Sequence, residues 1–292
     1  MRGSLLRMTA SAVFEEHQGL LKAVAYRVLG RFTDAEDVVQ EAWLRWNTVD
    51  QESIENPEAY LVRVTTRLAI DRLRSAQARH ETYVGPWLPE PMLTAPDVAE
   101  SVALSDSVST AMLLVLETLT PLERAVFVLR EAFGYSHAEI ASILDKTEES
   151  VRQTATRART HVASSARRYD TDMVTRRRAT EAFMEACAGG DVAALMAVLA
   201  PDVTMVADGG GLAPAPRKAI HGIEHVARAL VTFAGRMPSS QRIVVVDING
   251  GPGLAVYEDG IPLAAVVPLF VNGQIETLHL ISNPEKLAGL KL

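Results

Sequence analysis

Thr147-Glu148-Glu149-Ser150-Val151-Arg152-Gln153-Thr154-Ala155-Thr156-Arg157-Ala158-Arg159 predicts one helix with two separate faces. Val151, Ala155, Ala158 and Val162 recur at i, i+4, i+7 and i+11, which makes a buried stripe. Arg152, Gln153, Thr156, Arg157 and Arg159 fall off that stripe and face outward, and no acidic residue occurs from Val151 to Ala166. A small-residue seam beneath a cationic and polar face suits a DNA major groove. Arg152 and Gln153 match the edge patterns of guanine and adenine, whereas Arg157 and Arg159 are placed for phosphates. The competing interpretation is an ordinary helical cluster whose exposed face carries arginines.

The residues upstream complete a motif. Ser136-His137-Ala138-Glu139 is a capping box that opens a short helix through Leu144. Asp145-Lys146 makes a turn and Thr147 caps the next helix. Short helix, tight turn and longer basic helix is the helix-turn-helix order. Thr120-Pro121-Leu122-Glu123 caps another helix, with proline at the first position, where its missing N–H costs nothing.

The 292 residues suffice for two or three domains, and at 48% hydrophobic they can bury real cores. A net charge of −7 argues against indiscriminate coating of nucleic acid. DNA contact must come from local basic patches. One is Arg63, Arg67, Arg72, Arg74 and Arg79 around Asp71; the other runs from Arg152 to Arg168. Cys187 is the only cysteine, so neither an intrachain disulfide nor a cysteine-based zinc site is expected. That fits a reducing cytosol, and no membrane span or full signal peptide is read. Residues 1–7 resemble an added or fraying leader, with Met8 an alternative start. No metal or cofactor is expected.

Four stretches differ in pattern. Residues 12–81 are helical throughout: apolar positions from Val13 to Val28 recur at helical spacing, Gly30 closes that helix, and Thr33-Asp34-Ala35-Glu36 predicts a capping box for the next. Asn56-Pro57-Glu58 starts a third helix, spanning about 58–75. Tyr83-Val84-Gly85-Pro86-Trp87-Leu88-Pro89-Glu90-Pro91 then breaks the pattern with three prolines. Residues 82–107 are therefore a linker, expected to dock because Trp87 and Leu88 need cover. Helices resume from about Asp97, and the helix-turn-helix block occupies 108–168. Residues 172–292 predict three helices (176–189, 191–199, 223–233) and antiparallel-looking strands at 203–207, 242–248, 254–258, 261–267 and 275–281. That is an α+β domain with a curved sheet against helices.

Asp34-Ala35-Glu36-Asp37-Val38-Val39-Gln40-Glu41-Ala42-Trp43 resembles the core-polymerase-binding helix of sigma region 2. Asn56-Pro57-Glu58-Ala59-Tyr60-Leu61, continuing to Leu68-Ala69-Ile70-Asp71-Arg72-Leu73-Arg74, resembles the helix that recognises the −10 element. Leu116-Glu117-Thr118-Leu119-Thr120-Pro121-Leu122-Glu123-Arg124 with the helix-turn-helix resembles sigma region 4. Together they resemble the extracytoplasmic-function (ECF) sigma factors. The remainder is similar to a subgroup with a fused SnoaL-like, cone-shaped domain. It carries Trp87-Leu88-Pro89-Glu90-Pro91, Asp208-Gly209-Gly210-Gly211 and Asn283-Pro284-Glu285-Lys286-Leu287. Leu212 stands where the subgroup usually has lysine, and Glu285 where aspartate is common.

The resemblance implies a multidomain protein of two all-α domains followed by an α+β domain, working as a transcription initiation factor and not as an enzyme. Asp34, Glu36, Asp37, Gln40 and Glu41, with Trp43, would meet a basic coiled coil on the largest subunits of core RNA polymerase. Tyr60, Arg63, Arg67, Arg72 and Arg74 would present to −10 DNA, with residues 47–55 holding a base drawn from the stack; Asp71 would pair with an arginine. Trp87, Leu88, Pro89, Glu90 and Pro91 would form a regulatory set with Asp208, Gly209, Gly210, Gly211 and with Asn283, Pro284, Glu285, Lys286 and Leu287. Two other readings remain: a DNA-binding regulator sensing an unknown small-molecule ligand in the C-terminal pocket, and an enzyme with a DNA-binding appendage. The latter would draw on Asp208, His221, His225, Asp247 and His279 as acids and bases.

Overall fold

A computed structural model of the chain describes residues 10–80, 83–94, 110–165 and 172–290. The leader Met1–Arg7, the onset of helix at Asp97, most of the 82–107 linker beyond Thr94, and Arg167–Arg168 lie outside the described residues, as does the Arg79 side chain. The described residues form two compact units. One is drawn from the described residues up to 77 and from 116–164, the other from the described residues between 78 and 115 and from 165 onward.

The first unit is helical. Its first block holds α1 (Ala10–Leu29), α2 (Phe32–Thr48) and α3 (Pro57–His80). Gly30, at φ 72°, closes α1 in a conformation that suits glycine. α2 starts one residue before Thr33, on Arg31, whose side chain makes no cap. The predicted capping box at Thr33 is thus inside the helix, and Asp34 turns elsewhere. Asn56 caps α3 through Ala59 N–H (3.0 Å), and the helix continues past residue 75 to His80. Leu21, Val24, Ala25, Val38, Ala42, Trp46, Leu61 and Ala69 pack at 0–2% exposure between the three helices.

The second helical block comprises α5 (Pro121–Phe127), α6 (His137–Leu144) and α7 (Glu148–Ser165); the preceding α4 (Thr110–Glu117) belongs up to Val115 to the other unit. Both predicted capping boxes, Thr120/Glu123 and Ser136/Glu139, are present with both reciprocal hydrogen bonds. A single π turn, Val128–Ala132, follows α5. Asp145 ends α6 in the left-handed region (φ 56°), which an aspartate tolerates, and Thr147 Oγ1 accepts from Ser150 N at 3.2 Å to start α7.

The second unit is α+β. A six-stranded sheet runs β2-β1-β6-β5-β4-β3, from β1 (Leu199–Asp208), β2 (Ile220–His221), β3 (Gln241–Ile248), β4 (Gly251–Glu258), β5 (Ile261–Val271) and β6 (Gln274–Ile281). The sequence gives no sign of the two-residue β2. The β1–β6 pair is parallel, so the expectation of wholly antiparallel strands is corrected; the other pairs are antiparallel. β1 and β6 are separated by the whole domain, and no hairpin constrains their direction. The hairpins turn at Asn249-Gly250, Asp259-Gly260 and Asn272-Gly273, each with φ positive at both residues, the geometry that matches strand twist.

Alternation divides the sheet. Met205, Val245 and Val266 face a core with α8 (Met173–Gly189), α9 (Val192–Val198) and α10 (Ile223–Ala234), where Phe183, Leu195, Val226 and Phe270 fill the interior. Val206, Val246 and Val267 face the other way, into a second core with Leu88, Leu93, Leu114, Leu287 and Leu290. The linker and the C-terminal turns thus cover the face that the helices leave open.

Candidate polymerase, DNA and linker interfaces

On α2 the expected acidic set separates into two. Glu36, Asp37, Gln40 and Glu41 are exposed. Asp34 is buried at 7% exposure and accepts from Arg72 Nε (3.0 Å) and Nη2 (2.9 Å), so it does not belong to the open acidic face. Trp43 is half-buried and meets Phe14 edge-on at 5.0 Å. A groove of about 520 Å³ runs between α1 and α2, lined by Phe14, Gln18, Lys22, Asp37, Gln40 and Trp43. It offers carboxylates around an apolar floor, which fits a basic helical partner.

The α3 arginines also divide. Arg63 and Arg74 are exposed, and Arg74 pairs with Asp71 at 3.2 Å. Tyr60 meets the Trp46 ring in a tilted contact at 5.8 Å. Arg67 donates from Nε to Ile143 O (3.0 Å), with Asp145 at 3.9 Å. That guanidinium caps the C-terminal end of α6, where carbonyls carry partial negative charge. Near the start of α3, Tyr135 donates to Glu58 Oε1 at 3.4 Å; desolvation, reinforced by Glu58, pushes the Tyr135 phenol up to about 12. Arg72 also reaches Asp37. Burial lowers its pKa, but Asp34 and Asp37 more than compensate and the net shift is upward. The 47–55 segment holds a short 3₁₀ turn, Gln51–Ser53, capped by Asp50.

On α7 the buried stripe is as expected, joined by Thr154. Arg152, Gln153, Thr156, Arg157 and Arg159 are exposed. Each of three already has an acidic neighbour: Arg152 to Glu148 (2.8 Å), Gln153 to Glu149 (3.0 Å) and Arg159 to Glu131 (2.7 Å). These exposed pairs are weak and exchangeable.

The third constellation is buried. Asp208, at the end of β1, has no exposed surface. Its Oδ1 accepts from Tyr83 Oη (2.5 Å); its Oδ2 accepts from Leu88 N (2.8 Å) and Lys286 Nζ (2.7 Å). Lys286 Nζ also donates to Leu88 O (2.6 Å) and lies 3.2 Å above the Trp87 ring. A desolvated ion pair survives when its remaining lone pairs and protons find partners, and here the linker backbone supplies them. Asn283 donates to Tyr83 Oη at 2.8 Å. Gly210, at φ 61°, lies so close to the Asn283 amide that a Cβ would collide with it, and it would crowd the Tyr83 hydroxyl. Further along, Asn249 seals the linker: its N–H donates to Met92 O (2.9 Å), its Oδ1 accepts from Met92 N (3.0 Å), and its Nδ2 donates to Glu90 O (3.2 Å). Pro89 and Pro91 keep this segment extended, and Glu90 is buried at 1% exposure. Leu287 sits in the second core, and Asn283 caps the Pro284–Lys286 turn by accepting from Glu285 N. Gly209 and Gly211 abut Ala213 and Val84.

Tyr83 and Asn249 complete the clasp without any local signal that marks them for it. Asn249 is visible only as an Asn-Gly turn, and Tyr83 only as an aromatic in a proline-rich run. The acid–base candidates do not converge. Asp208 is in the linker clasp, Asp247 pairs with Arg177, His221 contacts Thr204, and His279 lies on the opposite sheet face from the helices, next to Val206 and Val267.

Residues 13–79 match the family model for sigma-70 region 2, and residues 109–162 that for sigma-70 region 4. The chain is similar to the ECF RNA polymerase sigma factor SigJ of Mycobacterium tuberculosis, at 35% identity over 96% of this chain and 93% of the relative. The probable ECF sigma factor SigI of the same species is 31% identical, with 96% of each covered. The crystal structure of M. tuberculosis SigJ superposes with a TM-score of 0.75 at 33% identity, covering 94% of this chain and 97% of that one. The chain belongs to the ECF RNA polymerase sigma factors. It is a transcription initiation factor that works with core RNA polymerase and promoter DNA, and not an enzyme. No helix among the described residues is long and apolar enough to cross a membrane.

Proposed function

We propose that the C-terminal α+β unit regulates this sigma factor in cis, by holding the linker that joins its two DNA-reading blocks. The Asp208 carboxylate carries this reading: it binds the linker at Tyr83 and Leu88 and the tail at Lys286 with a single side chain. Clasping residues 83–94 sets the path of the chain between the blocks, and with it how far apart they can reach on a promoter. Glu36, Asp37, Gln40 and Glu41 meet a basic surface of core polymerase beside Trp43. Arg63 and Arg74 on α3, and Arg152, Gln153, Thr156, Arg157 and Arg159 on α7, contact promoter DNA. The cytoplasm, where the polymerase works, is the corresponding location.

Gly210→Val tests the clasp, because a β-branched residue is strained at φ 61° and would displace the Asn283 amide that bonds Tyr83. The expected result is altered output across a promoter library with core polymerase, while the second unit still melts cooperatively. Wild-type output and wild-type polymerase affinity in a protein with a dislodged linker would overturn the proposal.

A further inference from the structure

The geometry points to Arg72 as a positioning residue that ties the promoter helix α3 to the polymerase-docking helix α2, rather than as a ligand of DNA phosphate. This inference rests on α3 being a promoter-contacting helix. Arg72 lies among arginines whose spacing alone assigns them all to DNA. Its guanidinium is engaged from two sides. Nε and Nη2 grip Asp34 Oδ1 at 3.0 and 2.9 Å, and Nη2 meets Asp37 Oδ2 at 2.5 Å. Arg31 approaches Asp34 from the other side at 3.5 Å. Asp34 is buried, so its charge requires these partners, and withdrawing Arg72 toward a phosphate would leave it with one distant arginine. Arg63 and Arg74, by contrast, are exposed on the same helix.

The tie has a functional consequence. Asp37 is on the open acidic face of α2, while Arg72 is on α3. One guanidinium therefore fixes the azimuth of the promoter helix against the helix that docks on polymerase. Drawing a base from the stack costs a few kcal/mol and needs side chains already in place.

Lysine discriminates the two roles. It serves a phosphate as a point charge, but it lacks the fork that spans Asp34 and Asp37. Arg72→Lys, Asp34→Asn, their double variant and Arg63→Ala are assayed as full-length protein with core polymerase. The readouts are open-complex yield by a fluorescent base analogue and the salt dependence of promoter binding. Arg72→Lys is expected to lower the open-complex yield about tenfold, with an unchanged salt slope and unchanged core affinity. Asp34→Asn, which removes a carboxylate that faces Arg72 and not DNA, is expected to lower opening to a similar degree, and the double variant to be little worse than either single change, because both break one contact. Arg63→Ala is expected to reduce the salt slope by about one phosphate's share. Parental opening in Arg72→Lys would overturn the inference, and so would losses that simply add in the double variant. If Arg63→Ala also leaves binding and opening untouched, the promoter role of α3 fails first. If Asp34→Asn does not fold, Arg72→Lys decides alone.

Discussion

Two arrangements of opposite charge serve two purposes in this chain. On α7, Arg152–Glu148 and Arg159–Glu131 are exposed on both partners, at 57%/50% and 56%/37%. In the C-terminal unit, Lys286 and Asp208 are exposed at 1% and 0%. The distances are nearly the same, 2.7–2.8 Å, yet the surroundings differ. Water screens the first pairs and competes with them, so a phosphate can replace the carboxylate at little cost. The second pair has no water to return to and holds the linker by default. Contact distance alone is a poor guide to whether a charge is available to a partner.

The largest effect is expected where that difference is removed. Lys286→Met leaves Asp208 buried without its counter-charge and should destabilise the C-terminal unit by about 3–5 kcal/mol. In urea melts, Asp208→Asn/Lys286→Met should be less damaging than Lys286→Met alone, because no charge remains buried. Strict additivity of the two single changes would show that the pair is not coupled and would dissolve the contrast with α7.

A buried group with no counter-charge sharpens the same point. His279 is 5% exposed, and desolvation pulls its pKa from 6.5 to about 4. Its Nδ1 has no hydrogen-bond partner among the described residues. The folded state therefore keeps it neutral where the unfolded chain would protonate. Stability from this source is complete above pH 6.5 and declines as pH falls toward 4, by about 3 kcal/mol in total. His279→Leu should flatten the acid limb of a stability–pH curve over that window. An unaltered limb would mean that His279 is accessible to water.

Much of this was legible in the sequence because local rules agreed with one another. The two capping boxes at Thr120 and Ser136, the glycine stop at Gly30 and the Val151/Ala155/Ala158/Val162 stripe all have short-range physical causes, and all appear in the structure. The failures are also instructive. Thr33-Asp34-Ala35-Glu36 satisfies the capping pattern, but Asp34 is drawn to Arg72, 38 residues away, and the helix starts earlier. The β1–β6 pair is parallel because tertiary closure sets it, with no turn between the strands to reveal it. Asn249 reads as an Asn-Gly turn, and nothing local indicates that its side chain binds Met92 and Glu90, more than 150 residues away. Periodicity places arginines on the outer face of α3, yet it cannot tell Arg63 from Arg72, because the distinction lies in a carboxylate on another helix.

The smallest effect on stability, and the most direct test of exchangeability, belongs to Arg159. Its guanidinium meets Glu131 Oε1 through Nε at 2.9 Å and Nη2 at 2.7 Å, on a surface open to solvent. Removing it should cost the folded protein no more than about 1 kcal/mol, since exposed pairs rarely contribute more. Its effect should appear in DNA binding instead. Arg159→Ala should weaken the holoenzyme on every promoter to a similar degree and lower the slope of log affinity against log salt by about 0.9. A phosphate contact positions without reading sequence, so uniformity across promoters is the diagnostic feature. A loss confined to one promoter sequence would reassign Arg159 to a base edge. An unchanged salt slope would mean that Glu131 keeps the guanidinium even with DNA present, and the exposed pair would then behave like the buried one.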